Sequence, residues 1–411
     1  MRPDDARYSF VACDPIEASE DLVPADPSMP MGPTWNGARA APRWIGVAPY
    51  EAIRGAERPG WTRQPDDRPP CILARPAWRR YAAVVRVDHA TGQVAIEADD
   101  DAAADRVAWA LAAQSTQRKA GAAGGRPLRR GFELDVLGPE EPDSAHVERV
   151  RAALQLIAAG DLYQVNLARR ISMIVRGDAL ALFASLLDAA PAPWGFFQDL
   201  GEAIVVGVSP ELAISARGDR LRTCPIKGTR PRGRDANADA AMARALDEDP
   251  KERAELVMAI DVHRNDLGRV AAPGSVRLLG PPRVLAGRTV WSRVAEVVAR
   301  RAPGVGLEQL ARAVLPCGSV TGAPKVRAME VLAGLEPWRR GAYTGAFGHV
   351  ARDGGLELAM AIRTLQIGPA TGVEAGRRAC YFAGGGIVAD SDPERELEET
   401  RWKAAQLAAL A

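Results

Sequence analysis

A lysine beside a glycine-threonine turn is the first candidate for chemistry in this chain. In "CPIKGTRPRG" (224–233), Lys227 stands between a strand-like run and that turn. A lysine amine is a nucleophile only when it is uncharged, and a shielded cleft favours the uncharged form. Lysines at strand ends are more often solvated or salt-bridged. The residue is therefore a candidate nucleophile whose use depends on where the fold places it.

Glutamates at helical spacing form the second set of candidates. Segment 249–270 carries Glu255 next to a helix face that includes Ile260 and His263. A carboxyl group in an apolar setting can act as a proton donor. Lys251, four residues before Glu255, offers the ordinary alternative of a surface ion pair.

The last helical segment places Glu396, Glu399 and Lys403 in one stripe, behind a capping Asp392. Two carboxylates and a lysine could hold a divalent cation and a substrate carboxylate, or form a surface pair worth about 0.3–0.5 kcal/mol. Glu330, on the helix after "TGAPK", is a further acidic candidate. Magnesium prefers oxygen ligands and keeps several waters, so two glutamates from separate helices would suffice.

Two further stretches suit the binding of an anion. "FAGGGIVADS" (382–391) has three adjacent glycines whose backbone N–H groups could receive a carboxylate, although a tight turn explains them equally well. Arg363 is predicted on a strand face with Glu357, Ala359 and Ala361. Arginine binds carboxylates with two parallel hydrogen bonds, and the alternative is a salt bridge on the sheet surface.

The elements that must position these residues favour an α+β fold. Residues 1–120 form one predicted region, with a hairpin from 80–87 and 92–98, and residues 121–143 are a predicted linker. The remaining region, 144–411, begins with a helix and continues with antiparallel hairpins and separate helices. The helix is predicted to start at Asp143 and stop at Gly160, with His146 in a solvent-facing first turn.

Composition excludes several classes of protein. The 411 residues include 53 basic and 52 acidic side chains, and this balance gives no footprint for nucleic acid or a membrane surface. No apolar run is long enough to cross a bilayer, and the first residues lack the features of a secretory signal. The five cysteines form no CxxC pair. We therefore expect a cytoplasmic protein.

Several long motifs occur together in one order and resemble the chorismate-utilising enzymes. They span about 144–411, and residues 8–18 resemble the start of the same proteins more weakly. The motifs are "GDLYQVNLARR", "PIKGTRPRG", "KERAELVMAIDVHRNDLGRV", "GSVTGAPKVRAMEVL", "YTGAFGH", "AIRTL" and "AGGGIVADSDPERELEET". The resemblance implies two large packed antiparallel sheets with helices outside, and a trimmed N-terminal lobe in residues 1–120.

In this family the position of Lys227 separates the branches. Anthranilate and isochorismate enzymes usually carry alanine there, whereas aminodeoxychorismate synthases carry lysine. The resemblance implies that Lys227 attacks C2 of chorismate while the C4 hydroxyl leaves. Ammonia then enters at C4 and displaces the lysine to give 4-amino-4-deoxychorismate, for 4-aminobenzoate and folate synthesis. Gln164 stands where isochorismate and salicylate synthases use a lysine to activate water.

The resemblance also implies roles for the other candidates. Glu255 would be the general acid, and Mg²⁺ would be held by Glu330 and Glu399, with Glu396 acting through water. The remaining implied substrate-binding residues are Gln164, Thr229, Thr321, Gly322, Tyr343, Arg363, Gly385, Gly386 and Lys403. Ammonia would come from a separate glutamine amidotransferase subunit, with no nucleic acid or membrane partner.

The chain departs from the family pattern at a few positions. Relatives commonly show "TVWH", whereas this chain has Ser292 at the histidine position and Ala295 at a later serine position. Cys317 stands where a glycine is usual, and the "LES" stretch that binds tryptophan in relatives is absent. Two alternatives follow. One is an anthranilate synthase large subunit, and the other is a catalytically impaired paralogue that binds chorismate or a partner without turnover.

Overall fold

A computed structural model describes residues 7–25, 40–57, 66–121, 131–370 and 376–408 together with Leu410. The strands are β1 (Tyr8–Val11), β2 (Glu17–Ser19), β3 (Pro42–Ala48), β4 (Ala77–Arg80), β5 (Ala83–Asp88), β6 (Gln93–Ala98), β7 (Phe132–Pro139), β8 (Gln164–Gly177), β9 (Trp194–Asp199), β10 (Ile204–Ser209), β11 (Leu212–Arg217), β12 (Arg220–Cys224), β13 (Ile226–Pro231), β14 (Arg277–Leu278), β15 (Arg283–Ala286), β16 (Val290–Val294), β17 (Val297–Arg300), β18 (Gly322–Ala323), β19 (Ala346–Ala351), β20 (Leu356–Met360), β21 (Thr364–Ala370) and β22 (Arg377–Ile387). The helices are α1 (Tyr50–Glu57), α2 (Asp101–Gly121), α3 (Asp143–Ala158), α4 (Ala179–Ala189), α5 (Ala236–Glu248), α6 (Pro250–Gly268), α7 (Leu307–Val314), α8 (Gly318–Thr321), α9 (Lys325–Leu335) and α10 (Pro393–Ala408).

Two large antiparallel sheets dominate the described part of the chain. The first has seven strands in the order β18-β8-β22-β21-β10-β9, and β7 also pairs with β8. The second has nine strands in the order β14-β17-β12-β11-β20-β19-β3-β4-β2. Two three-stranded sheets, β1-β5-β6 and β13-β16-β15, complete the topology.

The two large sheets pack face to face through alternate residues of their strands. Phe196 of β9 stacks on Phe347 of β19 with ring centroids 4.7 Å apart. Val205 of β10 lies in the same buried cluster, as do Leu212 of β11 and Ala359 of β20. Because side chains alternate across a strand, these residues form the layer between the sheets and their neighbours face outward. The predicted fold class is confirmed.

Helices cover the outer faces. Ile204 of β10, one residue from Val205, packs in a cluster with Leu182 of α4. On the other sheet, Leu358 of β20 packs in a cluster with Ile260 of α6 and Leu310 of α7. The period of two along each strand therefore separates the layer between the sheets from the layer under the helices. Within the ranges the structure describes, no helix is both long and apolar enough to span a bilayer.

The N-terminal region shares a sheet with the rest of the chain. Ile45 of β3 pairs with His349 of β19, and β4 and β2 extend the nine-stranded sheet from there. The predicted boundary near residue 120 therefore does not separate two sheets, because β3 pairs with β19, which lies on the other side of that boundary in the sequence. The hairpin predicted in this region is confirmed as β5 and β6.

The predicted linker, 121–143, is partly a strand. Residues 122–130 lie outside the described residues. Residues 132–139 form β7, which pairs with β8, and Leu134 is buried against the same core as α4. The linker prediction is therefore wrong for this stretch, because its glycine-rich start concealed the strand that follows.

The stretch "LELAMAIRTLQI" (356–367), which contains the predicted strand face of Glu357 and Arg363, belongs to two strands in different sheets. β20 belongs to the nine-stranded sheet and β21 to the seven-stranded sheet. The chain crosses between them through Arg363, whose φ is +51°. A non-glycine residue in this region is uncommon and marks a sharp change of direction. The prediction that Arg363 and Glu357 lie on one strand face is therefore wrong.

Helix α3 begins at Asp143 as predicted, and Gly160 follows its end with φ +82°. The prediction for His146 is wrong, because its side chain is buried and lies 3.1 Å from Arg149. Burial, helped by the nearby charges of Arg149 and Arg169, lowers the pKa of His146 to about 3. A neutral histidine can be buried in a first turn that its spacing alone would place in solvent.

Candidate active site

A β-bulge in the small sheet presents Lys227. Lys227 pairs with Arg293 and Thr229 pairs with Ser292, so the register of β13 and β16 shifts between them at Gly228. Gly228 has φ +77°, and a Cβ there would lie 2.7 Å from a Leu246 methyl group. Glycine is therefore required immediately after the lysine.

The Lys227 amine is held inside the molecule. Its Nζ donates a hydrogen bond to the backbone oxygen of Ser319 at 3.3 Å, and the side chain is half-buried. Its charge lowers the pKa of both Glu211 and Glu399, so the amine is within electrostatic range of both carboxylates. The predicted nucleophile therefore does not point into bulk solvent.

Glu211 is a site residue that the sequence analysis missed. It lies in the connection between β10 and β11, is 4% exposed, and accepts a hydrogen bond from Ser319 Oγ at 2.8 Å. Burial raises its pKa to about 7, against the opposing effects of that hydrogen bond and of Lys227. A carboxyl group that titrates near neutrality can give and take a proton. The only signal in the sequence is a charged residue between two apolar strands, in "VVGVSPELAI".

A second acidic group lies over the triple glycine. A Cβ built on Gly385 would lie 2.9 Å from Glu396 Oε2 and 3.6 Å from Glu399 Oε1. Burial raises the pKa of Glu396, and the Glu399 charge adds to the rise. Burial opposes ionisation of Glu399 too, but Lys403 and Lys227 outweigh it and lower its pKa. Glu396 Oε2 is buried with no hydrogen-bond partner among the described residues, so it is an acceptor that a cation or a donor could use.

Glu255 influences the acidic pair formed by Glu396 and Glu399. Its carboxylate is 3.9 Å from Lys251 Nζ, the pairing that the sequence offered as the ordinary alternative. The charge of Glu255 raises the pKa of Glu396 and of Glu252. Burial is the strongest influence on Glu211, and the side chains that act on it are Ser319 and Lys227. Glu255 is therefore within electrostatic range of Glu396, one member of the acidic pair.

Glu330 has a local partner. It accepts a hydrogen bond from Arg327 Nη1 at 3.1 Å, and Arg327 also binds Asp161. Glu330 is not among the leading electrostatic influences on Glu396 or Glu399. Among the described residues no three His, Cys, Asp or Glu side chains are close enough to form a ready-made metal site. The acidic pair over Gly385 is thus the part of the predicted metal set that the structure brings together.

Unpaired amides lie beside the next glycine. A Cβ on Gly386 would meet Gln164 Nε2 at 2.2 Å and Asn166 Oδ1 at 3.2 Å. Gln164 Nε2 and Asn166 Nδ2 are buried and have no hydrogen-bond partner in the part of the chain that the structure describes. Gly322, with φ +140°, backs this wall, because a Cβ there would lie 2.2 Å from the Gln164 carbonyl oxygen. Two buried donors and one buried acceptor therefore lie beside the adjacent residues Gly385 and Gly386.

We group two cationic side chains, Lys403 and Arg363, and the phenol of Tyr343 with these glycines. Together with Gln164, Asn166, Gly385 and Gly386 they form a set that we call the polar wall. Lys403 Nζ donates to Gly384 O at 2.7 Å and to Glu399 Oε1 at 2.6 Å. The Tyr343 hydroxyl would lie 2.9 Å from a Cβ on Gly384, and burial raises its pKa. Arg363 forms no ion pair with an acidic side chain in the described ranges, and burial lowers its pKa. A half-buried guanidinium with no acidic partner among the described residues is suited to an anionic ligand.

Residues 14–409 match a family model described as chorismate binding enzyme. The chain belongs to this family. It is similar to anthranilate synthase component 1 of Thermus thermophilus, at 40% identity over 369 residues, covering 88% of this chain and 76% of that protein. It is also similar to aminodeoxychorismate synthase component 1 of Klebsiella aerogenes, at 40% identity over 321 residues, covering 78% of this chain and 67% of that protein.

The fold agrees with a solved relative. The structure of anthranilate synthase component I from Streptococcus pneumoniae TIGR4 matches with a TM-score of 0.77 and 26% identity, covering 100% of this chain and 94% of that one. Membership of the chorismate-binding family, expected from the motifs, is thus confirmed. The relatives carry both names, so the branch of the family is a separate question.

In this chorismate-binding enzyme, two predicted substrate-binding residues, Thr229 and Thr321, and one departure from the family pattern, Ser292, have the following positions. Thr229 is exposed on β13, opposite Ser292. The Thr321 hydroxyl is buried and donates to Cys317 O at 2.9 Å, so it fixes the short helix α8. Ser292 is half-buried on β16 and supplies no imidazole at the position where relatives carry histidine. Substrate contacts of Thr229 and Thr321 stay predictions.

Proposed function

We propose that the protein is aminodeoxychorismate synthase component I, which converts chorismate and ammonia to 4-amino-4-deoxychorismate through a covalent bond to Lys227. The observation that carries the proposal is the Lys227 amine, which is hydrogen-bonded to Ser319 O and lies within electrostatic range of Glu211 and Glu399. A lysine near a carboxylate can pass a proton to it and attack as a free amine.

The two displacements can be balanced with this chain's own groups. The Lys227 nitrogen forms a bond to C2, the ring double bond shifts, and the C4 hydroxyl leaves as water after taking a proton. Ammonia then bonds to C4, the double bond shifts back, and the lysine nitrogen leaves C2 as a free amine, taking up the proton that the new C4 ammonium group gives up. Glu211 is the proton donor that we favour, because its pKa near 7 keeps it partly protonated beside the amine. Glu255, predicted as the acid from the motif, lies with the other acidic group.

Glu396 and Glu399 would hold the Mg²⁺ that the family resemblance implies. They fit such an ion because one buried carboxylate oxygen lacks a partner and two carboxylates face the same glycine. A bound Mg²⁺ would supply positive charge for the ring carboxylate and for the departing hydroxyl. Glu255 stands near enough to influence Glu396 and is a third contributor to this negative region. Glu330 would first have to leave Arg327.

The remaining substrate contacts belong to the polar wall. Arg363 and Lys403 would bind the two carboxylates of chorismate, and Tyr343 and the N–H groups of Gly385 and Gly386 would orient them. Gln164 would serve as a hydrogen-bond donor rather than as a base, since an amide does not accept a proton at neutral pH. Ammonia would come from a glutamine amidotransferase subunit.

A product assay tests the proposal. The purified chain is incubated with chorismate, Mg²⁺ and ammonium, and the products are separated and identified by mass. We expect 4-amino-4-deoxychorismate from the native chain and none from Lys227→Ala, while Lys227→Ala still binds chorismate and Mg²⁺. Arg264→Gln, an exposed change on α6, is the control and should leave turnover unaltered.

The second candidate is an anthranilate synthase component, in which ammonia attacks C2 directly. The 40% identity to a protein of that name over 88% of this chain favours it. Anthranilate formed from chorismate without an added lyase would establish this activity and overturn our proposal. An impaired enzyme, suggested by Ser292, would show neither product in the native chain and would gain turnover in Ser292→His.

A further inference from the structure

The imidazole of His263 is buried behind the site. His263 lies on the buried face of α6 and is 1% exposed. Its Nδ1 is 2.6 Å from Thr223 Oγ1, and its Nε2 is 3.4 Å from Ser319 Oγ. Burial, with the charges of Lys325 and Lys227, lowers its pKa to about 3, so the ring is neutral at pH 7. A neutral imidazole has one donor and one acceptor, and both have a partner here.

The hydrogen-bond chain from Thr223 to Glu211 can be satisfied in two ways. When Glu211 is ionised, Ser319 donates to its carboxylate, His263 Nε2–H donates to Ser319, and Nδ1 accepts from Thr223. When Glu211 carries a proton, it donates to Ser319 and Ser319 donates to Nε2. The Nδ1–H then donates to Thr223, whose hydroxyl can reach Leu212 O at 3.4 Å. The partners decide the tautomer, and neither state leaves a buried polar atom unpaired.

We propose that His263 is a positioning residue for the proton donor Glu211, because it holds the Ser319 hydroxyl against that carboxyl group in both protonation states. These hydrogen bonds are present in the unliganded protein. Only their consequence for turnover rests on the proposed function. His263 has no direct contact with the carboxyl group, so it acts through Ser319.

The surroundings of Glu211 determine the direction of the effect. The groups that face it are the Ser319 hydroxyl, the N–H of Ile226, the Lys227 amine and the Cys317 thiol. Near His263, Lys325 forms a 2.9 Å ion pair with Asp266. Loss of the Ser319 hydrogen bond would leave burial less opposed, so the protonated form of Glu211 would persist to higher pH.

Two substitutions of His263 separate the contact with Ser319 from the contact with Thr223. The amide of His263→Gln reaches the position of Nε2, whereas the shorter amide of His263→Asn reaches only that of Nδ1. The protonation of Glu211 is followed by infrared difference titration of its carboxylic C=O band, which Glu211→Gln identifies by removing it. We expect His263→Gln to keep the native midpoint and His263→Asn to raise it by about 0.5–1 pH unit. Equal midpoints in the two variants, or a shift in His263→Gln, would overturn the proposal.

Controls make the result independent of folding and of the reaction. Ile260→Val, on the same buried face of α6, should lower thermal stability without moving the midpoint. If His263→Asn does not fold, His263→Leu replaces it, since leucine fills a similar volume and offers Ser319 no polar atom, and an unmoved midpoint there counts against the proposal. The pH profile of product formation should shift with the infrared midpoint. A shift in the infrared midpoint without formation of 4-amino-4-deoxychorismate would refute the proposed function and leave the role of His263 standing.

Discussion

The carboxylate of Glu396 lies directly over the α-carbon of Gly385. A Cβ at residue 385 would be 2.9 Å from Glu396 Oε2, closer than such a contact can be. Glu396 is anchored from the other side by Ser391 Oγ, which donates to Oε1 at 2.7 Å. The glycine therefore makes room for the acidic pair that we assign to the cation.

Gly385→Ala should displace Glu396 and weaken use of Mg²⁺. We expect at least a tenfold rise in the Mg²⁺ concentration for half-maximal turnover, because the unpaired Oε2 would move away from its partner site. Titration of turnover with Mg²⁺ measures this. Gly334→Ala is the control, since Gly334 is exposed on α9 with nothing within 4 Å of an added Cβ, and it should be neutral or stabilise by up to about 1 kcal/mol. An unchanged Mg²⁺ requirement in Gly385→Ala would contradict the assignment.

Substrate affinity should depend on Arg363. Arg363→Lys keeps the charge and loses the paired hydrogen bonds, so KM for chorismate should rise about tenfold or more with a smaller change in kcat. The measurement is steady-state kinetics at saturating Mg²⁺ and ammonium. Arg312→Lys, at an exposed ion pair on α7, should leave KM unchanged. A KM unaffected in Arg363→Lys would mean that the arginine does not bind the substrate.

The buried ion pair of Glu336 and Arg340 should dominate the stability of the wall behind the site. Both side chains are 1% exposed, their closest atoms are 2.7 Å apart, and Arg340 also donates to Asn166 O. Glu336→Gln would leave a buried charge uncompensated and should cost about 3–5 kcal/mol in the free energy of unfolding. Denaturant unfolding tests this against Glu308→Gln, which breaks an exposed pair and should cost less than about 0.5 kcal/mol. Similar losses in both variants would refute the expectation.

Acid should destabilise the protein through His146. Its pKa is about 3 in the folded state and near 6.5 when unfolded, so the unfolded chain binds more protons between these values. This contribution to stability is complete above pH 6.5 and is lost as the pH falls toward 3. His146→Gln should therefore be less sensitive to acid, by about 2–3 kcal/mol between pH 7 and pH 4. Denaturant unfolding at the two pH values provides the difference, and parallel losses in both proteins would contradict it.

Much of the site could be predicted from short motifs because neighbouring residues remain neighbours in the fold. The stripe of Glu399 and Lys403, and the glycines beneath it, follow from helical spacing and from a strand that ends in a turn. The contacts of Glu211 could not be predicted, because Ser319 and Lys227 approach it only through the pairing of remote strands and the position of the short helix α8. Burial of His146 and the crossing at Arg363 were missed for the same reason, since spacing shows a face and not what packs against it.

The central claim is that Lys227 forms a covalent bond to the ring, and rapid-quench mass spectrometry tests it most directly. The enzyme is mixed with chorismate and Mg²⁺ without ammonium, stopped with acid, digested and sequenced. We expect the peptide carrying Lys227 to gain the mass of chorismate less one water, and to lose it when ammonium is added before the quench. Turnover to 4-amino-4-deoxychorismate by Lys227→Ala, or by a native chain that never carries this adduct, would contradict the account.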